Sequence, residues 1–389
     1  MVRINLFRLT LLLLSMLTIM AAAIIAPAIP AIAQFFQRTP GAGLLSKLVV
    51  SLPTLFIAIT APWVGRYIDR HGRLKLLYVG LVLYALCGTS GLFLNSLYYI
   101  LIGRMLLGVA IGITMTITFT LIGDYFKGDE RKDFIGFQTA FIGLAGITFL
   151  MIGGVLADIS WRLPFLIYIT SVLLTPLIIR FLNEPPKTPS AFKSTPAASS
   201  LLMRIIYINA VVLMILVYVV PTQLPFLLYE IGFDKNILSG AALALNALGM
   251  VISSLFYSRL QRYTHFPYVN TIAFFLMAAG YFITGMTYSY FIILAAMFTA
   301  GLGIGLLIAN TNVWVMEQSH QRSRGRNIGI LTTCLFLGQF FSPLVFEPVA
   351  MRFGVSFIFT LAATCMVLIS TIFLCLGQSL IKMGASTGS

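Results

Sequence analysis

The sequence predicts an all-α integral membrane protein of twelve spanning helices in two pseudo-symmetric six-helix bundles, and three observations predict it. Of 389 residues, 59% are hydrophobic and only 9% charged, with a mean hydropathy of +0.98; ordinary soluble domains are about 45–50% apolar. Apolar windows of about twenty residues recur from end to end, each long enough to cross a hydrocarbon core of about 30 Å as a helix that satisfies its own backbone. The second half of the chain also repeats features of the first at a constant offset.

In chain order, the first window, 9–31, follows Arg3 and Arg8; it is too long and too continuous with the next span for a cleaved leader and reads as helix 1. Windows 45–65 and 75–95 flank the stretch GRYIDRHGRLK, residues 65–75, which concentrates three Arg, one Lys, one His and one acid in a chain with little charge elsewhere. Window 98–122 carries Arg104 about six residues in, roughly 9 Å deep at 1.5 Å per residue. It is the one cation placed well within a span, and an intramembrane Arg is a functional candidate by default. Windows 134–156 and 163–182 complete the first six. EPPKTPSAFKSTPAASS, residues 184–200, then has the Pro, Ser, Thr and Lys content of a solvated linker, separating a unit at 1–183 from one at 201–389.

In the second half, window 204–228 contains VPTQLP, where Pro221 and Pro225 bracket Thr222 and Gln223 and each removes a backbone donor. Windows 237–258 and 268–288 flank SRLQRYTHF, residues 258–266, which keeps cations but has neither an acid nor a glycine. Windows 290–315, 328–349 and 354–376 follow. An offset of 193 lays GVAIG, residues 108–112, over GLGIG, residues 301–305, and superposes Asp124 on Glu317, Arg131 on Arg324 and Gly136 on Gly329. Parallel repeats of this kind hold a substrate site at their interface near the membrane midplane.

The formal net charge of +14 does not call for nucleic acid. With both termini inside, 19 Lys and Arg fall in cytoplasmic segments and five outside, the positive-inside bias. Cys87, Cys334, Cys365 and Cys375 lie in apolar runs without metal-ligand spacing, and the three histidines lie in loops, so neither a metal site nor a cofactor is expected. No G-x-x-x-x-G-K-[ST] loop is present to bind a nucleotide, and the spans offer no nucleophile or acid pair for an enzyme.

The loop at 65–75 resembles the loop between helices 2 and 3 of the major facilitator superfamily, with Gly65, Asp69, Arg70, Gly72, Arg73 and Lys75 on the pattern. IIAPAIPAIAQFF, GRMLLGVAIG, LIGDYFKGDER, GGVLADISWRLPFLI and PTQLPFLL are similar to segments of its bacterial drug:proton antiporter branch. Two motifs depart: Leu107 stands where a Gln is usual, and Phe149 and Leu150 stand where a Gly-Pro pair precedes Gly153 and Gly154.

The resemblance implies a conformational latch in which Asp69 and Arg73 join Asp124, with Arg131 alongside, and Asp69 meets the N-terminus of helix 11 near Asn327. It implies a coupling role for Arg104, and a cavity lined by helices 1, 4, 7 and 10. Tyr218, Thr222, Gln223, Asn310, Asn312 and, on helix 11, Gln339 are the cavity candidates; interhelical hydrogen bonding is the alternative for each. All eleven acids fall in loops or at span ends, so Glu230, Glu317 and Glu347 are the carboxylates weighed for proton coupling. The function implied is proton-coupled export of drugs or small amphiphilic metabolites across a bacterial inner membrane, by a monomer. Export of a specific metabolite such as a siderophore, uptake of an organic solute, and a non-transporting membrane sensor are the rivals.

Overall fold

The computed structural model describes residues 2–185, 201–319 and 323–387. Among them there is no strand, and twelve helices are long and apolar enough to span a bilayer. They are α1 (Leu6–Phe35), α2 (Ala42–Ile68), α3 (Leu74–Phe93), α4 (Leu97–Tyr125), α5 (Asp133–Ile159), α6 (Leu163–Phe181), α7 (Leu201–Glu230), α8 (Asn236–Tyr263), α9 (Phe266–Met286), α10 (Tyr290–Glu317), α11 (Arg324–Phe353) and α12 (Val355–Met383). Each falls on one of the twelve apolar windows. Large side chains such as Trp63, Phe93 and Phe291 stand exposed, an outward face suited to lipid rather than water.

Four spans are broken: α3 at Thr89, between Gly88 and Ser90, and three others beside proline. α1 is helical to Ala23, turns through a 3₁₀ segment at Ala26–Ala28 and resumes at Ile29–Phe35. α6 begins as a 3₁₀ helix, Leu163–Ile169, behind Pro164. α7 stops at Val217 and restarts at Val219, with Pro221 and Pro225 in the second segment. Proline lacks the donor that continues the ladder, and membrane-depth carbonyls released in this way need other partners. They have them: the Tyr168 hydroxyl donates to Ala21 O at 2.7 Å, and the Tyr281 hydroxyl donates to Leu216 O at 2.8 Å.

The contacts divide the chain into two compact units, one of Met1–Ala191 with Lys235–Gly240, the other of Phe192–Asp234 with Ala241–Ser389. The expected linker, 184–200, lies outside the described residues from 186 onward. In the first unit α4 packs on α2 and α3, and α1 on α5. In the second, α9 packs on α10 and α12, and α7 on α11.

The internal frames of the two units correspond in detail. A Cβ at Gly108 would run into the Pro53 carbonyl, and one at Gly301 into the Asn246 carbonyl. Both members of that pair are shifted by 193, as are Thr60 facing Gly112 and Ser253 facing Gly305. Glycine is required here because backbone meets backbone, which lets α4 cross α2, and α10 cross α8, at close range. Aromatic contacts brace both units at different registers. Tyr84 of α3 donates to Leu17 O at 2.7 Å and lies 5.7 Å from the Tyr168 ring; Tyr281 of α9, four positions beyond the residue that the offset of 193 pairs with Tyr84, donates to Leu216 O of α7 and lies 5.5 Å from Phe359.

Candidate functional site

The stretch 65–75, expected as a loop, is helical over most of its length: α2 runs on to His71 and ends at Gly72, whose φ of 95° lies in the range that favours glycine. A Cβ there would also stand 3.1 Å from Glu184 Oε1. The Glu184 carboxylate accepts from the Arg73 amide at 2.7 Å and the Leu74 amide at 2.9 Å. It thereby satisfies otherwise unbonded donors at the start of α3 and places negative charge at the positive end of that helix. The Arg73 side chain turns inward, 7% exposed, and pairs with Asp124 Oδ2 at 3.1 Å. This is a charge contact without hydrogen-bond alignment, since Asp124 Oδ2 and Arg73 Nε have no hydrogen-bond partner. Arg131 lays its guanidinium over Gly123, one residue before Asp124, and the Tyr125 hydroxyl donates to Asn183 O.

Of the residues expected at this latch, the structure therefore gathers Gly72, Arg73, Asp124 and Arg131. Lys75 is exposed and Gly65 half-buried, with nothing packed against it. The side chains of Asp69 and Arg70 lie outside the described residues. Glu184 was missed because composition assigns it to the linker; the signal was an acid directly behind the last apolar window of the first half.

Arg104 is fully buried in α4. Its Nη1 donates to the Tyr168 hydroxyl at 2.8 Å, and its guanidinium carbon lies 4.6 Å from the Phe165 ring centre and 4.9 Å from that of Tyr168. Tyr168 passes the bond on to Ala21 O beside the break in α1. Gly153 of α5 packs against the same break, where a Cβ would meet the Ile24 backbone, while Gly154 would meet Ile237 Cα at 2.8 Å. Asp158 accepts from the Asn236 and Ile237 amides at 2.6 and 3.1 Å, holding the first turn of α8 within the first unit.

On α7, Thr222 turns its hydroxyl back to Tyr218 O at 2.6 Å. Tyr218 is buried, and Gln223 is fully buried with neither its amide nitrogen nor its amide oxygen bonded. Asn310 is differently placed: it accepts from the Tyr257 hydroxyl at 3.1 Å and donates to Asn270 Oδ1 at 2.8 Å and Phe266 O at 2.9 Å, joining α8, α9 and α10. Asn312 bonds within its own helix to Ile308 O, and Gln339 approaches Met214 Sδ at 3.8 Å. Among the cavity candidates only Gln223 is fully buried with an amide that no protein group answers.

The carboxylates weighed for coupling divide by burial. Glu317 ends α10 and Glu230 ends α7, both exposed. Glu347 is 8% exposed, because α11 continues to Phe353 and takes it in. Lys47, counted with the outer loops on sequence, is 3% exposed in α2. Its burial was not legible because the window begins only two residues before it. Two open grooves on the first unit, of 610 and 470 Å³, are lined by Val172, Thr175 and Pro176 in one and by Trp63, Arg66 and Tyr67 in the other. None of the expected cargo residues lines them.

Twelve spanning helices with this loop define a multi-pass membrane protein of the major facilitator type. Residues 11–343 match the Major Facilitator Superfamily model, and the chain belongs to that superfamily. It is 28% identical over 170 residues to the class B tetracycline resistance protein of Escherichia coli, covering 44% of this chain and 42% of that one. It is 24% identical over 268 residues to the quinolone resistance protein NorB of Staphylococcus aureus strain MRSA252, covering 69% of this chain and 52% of that one. The matches thus span about half the length of these relatives or less. Among solved structures, a D-xylose-proton symporter superposes with a TM-score of 0.78 at 16% identity, over 95% of this chain and 97% of that one. A bacterial homologue of the human lysosomal transporter Spinster, inward-facing and occupied, gives 0.73 at 15% identity, over 98% and 96%.

Proposed function

We propose that this chain is a secondary active transporter that exports drugs or small amphiphilic metabolites in exchange for protons, by alternating access of residues 1–183 against 201–389. The observation that carries the reading is Gln223. A fully buried amide with both polar atoms unanswered, on a proline-broken segment of α7, is costly unless a polar ligand visits it. Broken helices that line a central site are the usual place for such a ligand in transporters. Export of drugs is supported by the tetracycline and quinolone resistance proteins that the chain resembles.

In this reading Gly65, Asp69, Arg70, Gly72, Arg73, Lys75, Asp124 and Arg131 form the latch that favours one state of the cycle. Arg104, Glu230, Glu317 and Glu347 are the groups through which the proton gradient acts. The chain sits as a monomer in a bacterial inner membrane with both termini cytoplasmic, by the distribution of its Lys and Arg. Phe149 and Leu150, in place of the Gly-Pro pair of antiporters, favour uptake as the second reading.

The test is accumulation of a panel of fluorescent drugs and organic acids in intact cells expressing wild type, Asp69→Asn or Gln223→Leu. Export predicts lower accumulation of at least one compound with wild type, restored in both variants at equal membrane insertion. Higher accumulation with wild type would replace export by uptake, and unchanged transport in Gln223→Leu would remove the assignment of the cargo site.

A further inference from the structure

Arg104 is the largest fully buried side chain described. Its guanidinium is a cation with five N–H donors and no acceptor. Only Nη1 has an acceptor, the Tyr168 hydroxyl; Nε and Nη2 have none. Those two nitrogens share one edge of the fork, an edge whose parallel N–H bonds match the two oxygens of a carboxylate. Among the described residues no protein carboxylate pairs with it. The Ser90 hydroxyl, packed against Gly103 beside it, is likewise buried without a partner. A buried cation lacking a counter-charge strongly destabilises a protein core.

The second unit shows that packing does not require this charge. At the offset of 193, Arg104 corresponds to Met297, fully buried in α10. The corresponding position of the second unit thus carries an uncharged side chain in its core. In the first unit Tyr168 engages Nη1 from one side and anchors on Ala21 O from the other. That bond determines which edge of Arg104 is left open, beside the break in α1.

We infer that the open edge of Arg104 receives the carboxylate of the cargo, with Tyr168 as its positioning residue, so that the cargo class is organic acids and zwitterions with an apolar aromatic body. The inference rests on the transport reading above and gives its substrate class. The carboxylate reaches the edge when the α1 segment around its break moves aside during the cycle, and the Phe165 and Tyr168 rings then flank the bound acid.

The experiment is equilibrium binding to the purified full-length protein in detergent. The probes are 1-naphthoate and nalidixate, each against its own carboxamide, which keeps size and polarity but removes the charge. Wild type is expected to bind the acids about tenfold or more tightly than the amides, the effect of one charge-assisted contact. The preference should vanish in the Arg104→Met/Tyr168→Phe double variant, whose methionine is the residue found at the offset of 193 in the second unit. It should shrink in Tyr168→Phe, where the fork is no longer held in place. Equal binding of acid and amide by wild type, no binding of either acid, or a preference that survives the double variant would each overturn the inference. The wild-type comparison needs no variant to fold and no transport to occur. Acid preference without transport in either direction would sink the transport reading and with it the role of the bound acid as cargo, and transport without acid preference would sink this inference alone.

Discussion

Glu184→Ala is expected to loosen the start of α3 and, through it, the placement of Arg73. The carboxylate accepts two backbone amides, at 2.7 and 2.9 Å, at the positive end of a helix. Loss of an N-terminal capping acceptor typically costs about 0.5–2 kcal/mol, and the favourable charge–dipole contact adds about 0.3–1 kcal/mol. The sum, about 1–3 kcal/mol, corresponds to a fall of roughly 2–12 °C in the melting temperature of a unit of about two hundred residues. Glu184→Gln keeps an acceptor but not the charge, and should fall between wild type and Glu184→Ala. The assay is thermal unfolding in detergent, paired with hydrogen exchange at the Arg73 and Leu74 amides. An unchanged melting temperature with those amides still protected in Glu184→Ala would refute the reasoning.

Three further predictions follow from other contacts. Gly301→Ala drives a Cβ into the Asn246 carbonyl and should destabilise the second unit by about 1–3 kcal/mol, read as a lower melting temperature; a neutral effect would mean the α8–α10 crossing is looser than described. Asn310→Leu leaves the Tyr257 hydroxyl, Asn270 Oδ1 and Phe266 O without their partner, a loss of about 2–4 kcal/mol. If that variant keeps its stability but changes cargo preference, the residue belongs to the cavity rather than to the interhelical network. Asp158→Ala frees the Asn236 and Ile237 amides and should raise their hydrogen exchange at a cost of about 0.5–2 kcal/mol, whereas unaltered exchange would dismiss the cap.

The spans were legible because lipid solvation demands a long, uncharged window, and such windows are visible in any one sequence. The breaks in α1 and α7 were signalled only by Pro27, Pro30, Pro221 and Pro225; what answers the released carbonyls was not, since Tyr168 and Tyr281 look like ordinary apolar residues in their windows. The glycine rows were read as part of the repeat; that Gly108 and Gly301 meet the backbones of Pro53 and Asn246 follows only from the fold. The clustering of Arg73 with Asp124 was implied by family likeness and not by spacing, as they lie 51 positions apart. Glu184 was hidden for the same reason, its contacts being 110 and 111 positions away in the chain. The polar residues of the expected cavity could not be sorted on sequence, because Asn310 and Gln223 differ only in whether a neighbouring helix supplies an answering group.

The most direct measurement is proton movement in everted membrane vesicles energised to an acid interior and loaded with a fluorescent pH probe. Compounds from the cationic and organic-acid panels are added to vesicles carrying wild type, Asp69→Asn or Arg104→Ala. The account predicts proton release on adding at least one class of compound with wild type, and its loss in both variants. Release of equal size in both variants, or transport of a compound with no proton movement at all, would contradict it.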